Sequence, residues 1–351
     1  MPSIDRCPPL PISVKNHQFC LTNSSETFFP VGFNYDHDEH YRLLEDYWHE
    51  DWEKVVRDFS AMRTHGANTV RIHLQAGRFL ASCTGFYEKE LQQLDRLITL
   101  AASLSLRLHL VGLGCYHRRQ VPAWYEALDE TARWETQAFF WRTLAARYCG
   151  NHTIFCFDLM NEPLVPARCR RDRGWLGNDY HGNHFTQYIA LDGTHASRTD
   201  IAKRWISILV SAIRSQDPQR LITIGLVDWS LEHSKPSSGF VPHEVAPLLD
   251  FVCLHIYPET AGVDSAVNTV RQFCLGKPLL IDETFPLKCS IHEFDEFLTA
   301  IRPFVNGFLG FYTDQVAEPF TPHHSIRNRA MLEWLDIFSE QRKHYSPSDK
   351  T

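Results

Sequence analysis

Eight short runs of apolar and β-branched residues, separated for the most part by longer segments of helical periodicity, constrain this chain more than any other feature of its sequence. The predicted strands are Phe29–Asn34, Asn68–Leu74, Leu106–Leu113, Thr153–Met160, Leu221–Leu226, Asp250–Ile256, Pro278–Glu283 and Asn306–Tyr312. Helical spacing covers Asp51–His65, Glu88–Leu104, Thr131–Tyr148, Ile201–Gln216, Val263–Cys274, Ile291–Ile301 and Ser325–Glu340. Strands that are apolar along their whole length are buried on both faces, which is the pattern of parallel strands joined by helical crossovers. Eight such units, without the glycine-rich phosphate turn of the open doubly wound sheet, predict an α/β chain closed into a (β/α)8 TIM barrel. Ahead of the first strand, ISVKNHQFC alternates like a β-hairpin and is placed to plug the barrel floor. The expected organisation is a hairpin within 1–27, a catalytic barrel over 28–342 and a flexible tail over 343–351. The connection after the fourth strand is outsized. Its excess, Leu164–Thr199, leaves the end of the strand at which barrel active sites are built.

With 351 residues, 44% of them hydrophobic, the chain fills one large core. A formal net charge of −7 and the lack of a basic run argue against nucleic acid or an anionic membrane surface as the main partner. A neutral small molecule or polymer fits better. The N-terminus lacks a cationic start followed by an apolar run, so neither a secretory signal nor a transmembrane segment is read, and a cytoplasmic location is expected. The ten cysteines are scattered and form no CxxC pair, which speaks against structural zinc; Cys156 and Cys253 fall inside apolar strands as small core residues. The sequons at Asn23 and Asn151 matter only in a secreted protein.

A barrel presents its chemistry at the C-terminal ends of its strands. The fourth strand ends in Asn161-Glu162-Pro163 and the seventh in Glu283. Two carboxylates on strands three apart face each other across the mouth. A separation of about 5 to 5.5 Å suits a retaining glycosidase, where one attacks the anomeric carbon and the other donates and then accepts a proton. The plainer alternative is that either glutamate only pairs with an arginine on the rim. Asp36-His37-Asp38-Glu39-His40, after the first strand, has the residue types of a metal cluster, but barrel metallohydrolases draw ligands from several strands, and a polar loop is the simpler reading. His323-His324 reads as a solvated helix start.

These motifs together resemble the clan A glycoside hydrolases, and family 5, the cellulase and β-mannanase group, most of all. The resemblance runs from about Val14 to Tyr312 through FFPVGFNY, GANTVRIH, FDLMNEP, LDFVCLHIYP and KPLLIDETF. It implies that Glu162 is the general acid/base and Glu283 the nucleophile, with the pKa of Glu162 raised and Glu283 kept ionised. It further implies that Arg71 holds Glu283 and that Asn161 bonds the sugar 2-hydroxyl. Tyr257 would donate to Glu283 and His255 would contact Glu162 or the leaving sugar; the bland readings are a rim ion pair, a capping Asn and a core His. His117 matches the family's sugar-binding histidine only loosely. Tyr312 stands where the family usually carries a Trp, and Thr284-Phe285-Pro286 follows the nucleophile where a Gly is common. Trp229, Trp175 and Tyr180 are candidate sugar-stacking rings or loop packing. The implied function is cofactor-free hydrolysis of β-linked glucosides or mannosides, of an oligosaccharide or glycoconjugate, with retention. The alternatives are a carbohydrate-binding pseudoenzyme and a metal-dependent barrel hydrolase.

Overall fold

The computed structural model describes residues 9–22, 24, 26–38, 40–172, 174–180, 182–194, 196–231, 233–234, 237–312 and 322–345. Asn23, Glu39, the tail beyond residue 345 and the side chains of His323 and His324 lie outside this description.

Eight parallel strands close into a barrel: β1 Val31–Asn34, β2 Thr69–Gln75, β3 Arg107–Gly114, β4 Ile154–Asn161, β5 Leu221–Val227, β6 Val252–His255, β7 Leu279–Glu283 and β8 Gly307–Phe311. Each pairs with the next in sequence, and β8 closes on β1, with Phe308 opposite Val31. Each predicted strand corresponds to one of these, shifted by no more than a residue or two at its ends. The outer helices are α1 Trp52–Thr64, α2 Glu88–Ser103, α3 Glu130–Arg147, α4 Arg198–Arg214, α5 Val263–Gln272, α6 Ile291–Ile301 and α7 Pro322–Gln341. Their caps follow local chemistry. Asp51 accepts from the Lys54 amide at the start of α1, and Ser290 and Glu293 form a reciprocal box at the start of α6. α7 presses Trp334 so close to β8 that a Cβ on Gly310 would stand 2.0 Å from the indole, which is why this strand needs a glycine there.

The hairpin, Ile12–Lys15 paired with Gln18–Leu21, turns at Asn16 and His17, both in the left-handed region (φ 48° and 62°), as a two-residue turn requires. It buries Phe19 completely against Phe155 and Phe251 at the N-terminal end of the barrel, with ring centroids 5.2 and 5.0 Å away, and so plugs the floor. At the other end of the chain the packed structure runs further than expected. Arg342–Tyr345 forms a 3-10 turn that buries Tyr345 against Phe29 and Phe308, so residues 343–345 are not a flexible tail.

One buried carboxyl is a stability sensor. Glu45, in the short helix Leu44–Tyr47 between β1 and α1, accepts the Gln75 amide at 2.8 Å but forms no ion pair among the described residues, and burial pushes its pKa up to about 8. Its unfolded value is near 4.5, so the stability it confers is complete below pH 4.5 and is lost as pH rises toward 8, a change on the order of 4 kcal/mol. Urea unfolding of Glu45→Gln at pH 5 and pH 8 should show a nearly pH-independent contribution from this site. A slope matching the wild type would refute the assignment.

Candidate active site

At the upper rim the side chains of β1, β2, β4, β6 and β7 converge on one guanidinium. Arg71 of β2 is completely buried and ion-paired to Asp158 (2.9 Å), Glu283 (3.2 Å) and Asp282 (3.4 Å). It also donates to the Asn34 and Asn161 side-chain carbonyls at 2.9 and 3.0 Å. Burial works against the cation, but the three carboxylates outweigh it and hold the guanidinium pKa well above its usual value.

Two bulges allow so many charges to face one point. Between Thr223–Gly225 of β5 and Asp158–Asn161 of β4 the register slips by one residue, so Asp158 and Asn161, three apart, both reach Arg71. Between Cys253–His255 of β6 and Leu280–Glu283 of β7 it slips again, and the consecutive residues Asp282 and Glu283 both face Arg71. Gly225 of β5 leaves the room they need, since a Cβ there would lie 2.8 Å from His255 Nε2 and 3.1 Å from Arg71 Nη2.

His255 sits between the two glutamates, its Nδ1 3.0 Å from Glu162 and 3.4 Å from Glu283, while Nε2 lies 3.5 Å from Asp282. Burial opposes its protonation, but Glu283 and Asp282 prevail and raise its pKa well above the ordinary value. Tyr257 donates its hydroxyl to Glu283. Burial, reinforced by Glu162, raises the pKa of Glu283, with His255, Arg71 and Tyr257 opposing. Arg71 pairs with Glu283 as expected and opposes that rise, while sharing its charge with Asp158 and Asp282. Glu162 adopts a left-handed backbone (φ 44°), an unusual conformation for a side-chain-bearing residue and one often stored at functional sites.

The other sequence candidates separate. Asn161 is in the cluster, but its amide donates to the Phe185 carbonyl of the long loop at 3.0 Å. Trp229 lines a cleft of about 660 Å³ together with Glu162, Tyr180 and Phe185. Trp175 is corrected from stacking ring to loop packing: it is 1% exposed, donates to the Glu126 carbonyl and faces Arg133. Tyr312 is buried against Phe33 rather than turned toward the mouth. His117 stands 3.6 Å from Asp46, apart from the glutamates. Its neighbour Tyr116 connects to the cluster instead, through His73, which receives a contact from Arg71 at 3.3 Å. Burial and Arg71 press His73 down to about 3, so it is neutral. Sequence reasoning missed Asp158, Asp282, His73, Tyr116 and Asn34.

Two sets of side chains have metal-ligand types within 4.8 Å of one another: Glu162, His255 and Glu283, and the buried His109, Cys253 and Asp282. Both border the buried Arg71 guanidinium, which competes with a metal ion for Asp282 and Glu283. Asp36 pairs with His37, which outweighs burial and lowers it to about 2, and Asp38 is bonded to Arg42 and the His40 amide. Among the described residues, that loop is tied to itself rather than gathered around a centre.

The closed barrel thus carries paired glutamates, Glu162 and Glu283, at the ends of its fourth and seventh strands. The family model for cellulase, glycosyl hydrolase family 5, matches residues 30–275, and the chain belongs to that family. An exo-β-1,4-mannosidase from Opitutaceae bacterium strain TAV5 has a similar structure, with TM-score 0.71 at 18% identity, covering 96% of this chain and 63% of that one. This chain thus spans less than two thirds of that protein. A GH5_18 structure from Streptomyces cattleya in complex with GlcNAc matches with TM-score 0.66 at 16% identity, covering 93% of this chain and 82% of that chain. The endo-1,4-β-mannanase of Rhizomucor miehei matches with TM-score 0.62 at 17% identity over 86% of this chain and 90% of the other. None of the described helices is long and apolar enough to cross a membrane.

Proposed function

We propose that the protein hydrolyses β-linked mannosides or glucosides with retention of configuration, Glu283 acting as nucleophile and Glu162 as general acid and then base. The observation that carries this reading is the approach of the two glutamates, whose carboxylate oxygens and a His255 ring nitrogen lie within 4.8 Å of one another. Such spacing suits direct attack on the sugar; inverting enzymes need about 6.5–9.5 Å to hold a water between the carboxyls. In the first step Glu283, oriented by Tyr257 and Arg71, attacks the anomeric carbon as Glu162 protonates the departing oxygen. His255 binds one oxygen of Glu162 and leaves the other to carry the proton. In the second step Glu162 deprotonates a water that releases the sugar from Glu283. A mannoside preference is favoured by the similar structures, one an exo-β-1,4-mannosidase and another an endo-1,4-β-mannanase.

The test follows the product anomer by NMR for β-mannosides and β-glucosides, alongside Glu162→Gln. That variant should slow substrates with poor leaving groups by about 10²- to 10⁴-fold, the size of a general-acid contribution. Dinitrophenyl glycosides, which depart without a proton, should still glycosylate the enzyme and stall. An inverted product would end the retaining reading. Full activity in Glu162→Gln would remove its acid role, and tight sugar binding without turnover would favour the carbohydrate-binding alternative.

A further inference from the structure

The cleft that Glu162 lines is walled by the long loop after β4 together with Arg198, Trp229 and Ser237, and Glu283 is not among its lining residues. On the reading above, the general acid stands beside the departing oxygen, so the space beyond it receives the leaving group rather than the sugar that is attacked. The lining of that space is unusual for a chain of net charge −7: it carries Arg168, Arg170 and Arg198, and Glu162 is its one carboxylate among the described residues.

Each arginine has a distinct setting. Arg170 is stapled to the Gly174 and Leu176 carbonyls and lies 3.6 Å from the centre of the Tyr188 ring. Arg198 is half-buried, with Nε and Nη2 bonded to the Val165 and Ser237 carbonyls, bonds that do not use Nη1. No carboxylate of the described residues lies within ion-pair distance of it, and burial accordingly depresses its pKa, with only Tyr188 opposing. Arg168 is exposed and forms no ion pair among the described residues. A half-buried guanidinium without a counter-ion, beside a second exposed one, is an electrostatic deficit that an anion entering the cleft would fill. Trp229 and Tyr180 add aromatic faces of the kind that pack against a pyranose.

We propose that this half of the cleft is a subsite for a leaving-group sugar bearing an oxyanion, held by Arg168 and Arg198, so that the preferred substrates are anionic glycosides or glycoconjugates. The shared chemistry is a carboxylate, a sulfate ester or a phosphate ester on the sugar released. The assignment as a leaving-group subsite rests on the role given to Glu162; the binding of the anion does not.

Isothermal titration of the full-length protein separates the sources, because the released sugar binds the same subsite as a product. Glucose is compared with glucuronate, glucose 6-sulfate and glucose 6-phosphate, at low and at high salt. At least one anionic sugar should bind about tenfold or more tightly than glucose, with an advantage that shrinks in high salt. Arg168→Gln and Arg198→Gln should each reduce that advantage while leaving glucose binding unchanged. Among the described residues Arg168 makes no hydrogen bond or ion pair that supports the fold, so its variant remains decisive if Arg198→Gln unfolds. The proposal fails if no anionic sugar binds more tightly than glucose, or if the advantage persists in Arg168→Gln. If the preference holds but Glu162→Gln hydrolyses poor leaving groups at the wild-type rate, the anion site stands and its leaving-group role falls.

Discussion

Glu283→Ala should lose hydrolysis by a factor on the order of 10⁴ or more, because the variant lacks the atom that forms the glycosyl-enzyme. The expectation is more specific than inactivity. Removing the carboxylate opens space between Tyr257 and Arg71, the two groups that hold it. A small anion such as azide can enter there and attack the anomeric carbon from the same side. With a β-linked substrate of good leaving ability, azide should restore turnover and yield the α-glycosyl azide. The same experiment on Glu162→Ala should give the β-azide, since there the anion attacks the glycosyl-enzyme in place of water and displaces Glu283 without needing a base. Product NMR thus assigns the two glutamates independently. Azide products of the opposite anomers would exchange their roles, and an active Glu283→Ala would discard the mechanism.

Arg71→Met should be the most destabilising single change at the site, by about 3–5 kcal/mol, because it leaves Asp158, Asp282 and Glu283 without the cation they share. The loss has a predicted pH dependence. In the native protein Arg71 and His109 outweigh burial and lower the pKa of Asp158; His255 and Arg71 do the same for Asp282. Groups with depressed values stabilise the fold above their unfolded pKa, near 4, and that contribution disappears as pH falls through the folded values. Without Arg71, burial drives both acids toward protonation, so the destabilisation should be greatest at neutral pH and shrink toward pH 4. Urea unfolding at pH 7 and pH 4.5 measures the difference. An equal loss at both values would mean that Arg71 acts by packing alone.

The barrel was legible because its strands are continuous apolar runs, and local pattern is enough to mark those. The paired glutamates were legible because Glu162 and Glu283 end strands in a setting where carboxylates are expensive unless used. Asp158 and Asp282 were missed for a definite reason. Strict two-residue alternation puts Asp282 on the face opposite Glu283, and only the bulge in β7 turns both inward. A signal was present all the same, since a carboxylate inside FDLM or LLID needs a buried cation, and TVRIHL supplies an arginine, Arg71, in the middle of an apolar strand. The distinction between His117 and Tyr116, and the burial of Trp175, depend on the path of the long loop. His184 bonds to the Tyr116 carbonyl and Gln187 to that of Leu113, contacts between distant segments that no local pattern encodes.

The hairpin at the barrel floor has a bearing on how the molecule is assembled. Phe19 is synthesised well before its partners Phe155 and Phe251, which belong to the fourth and sixth units, and β1 gains its second neighbour only when β8 has been made. Vectorial synthesis therefore keeps an aromatic plug and an open sheet edge waiting until the last barrel strand is made, the situation in which chaperone binding and aggregation compete with folding. The ring closes only once β8 is available, so Phe19 and β1 are among the last of its parts to find their places.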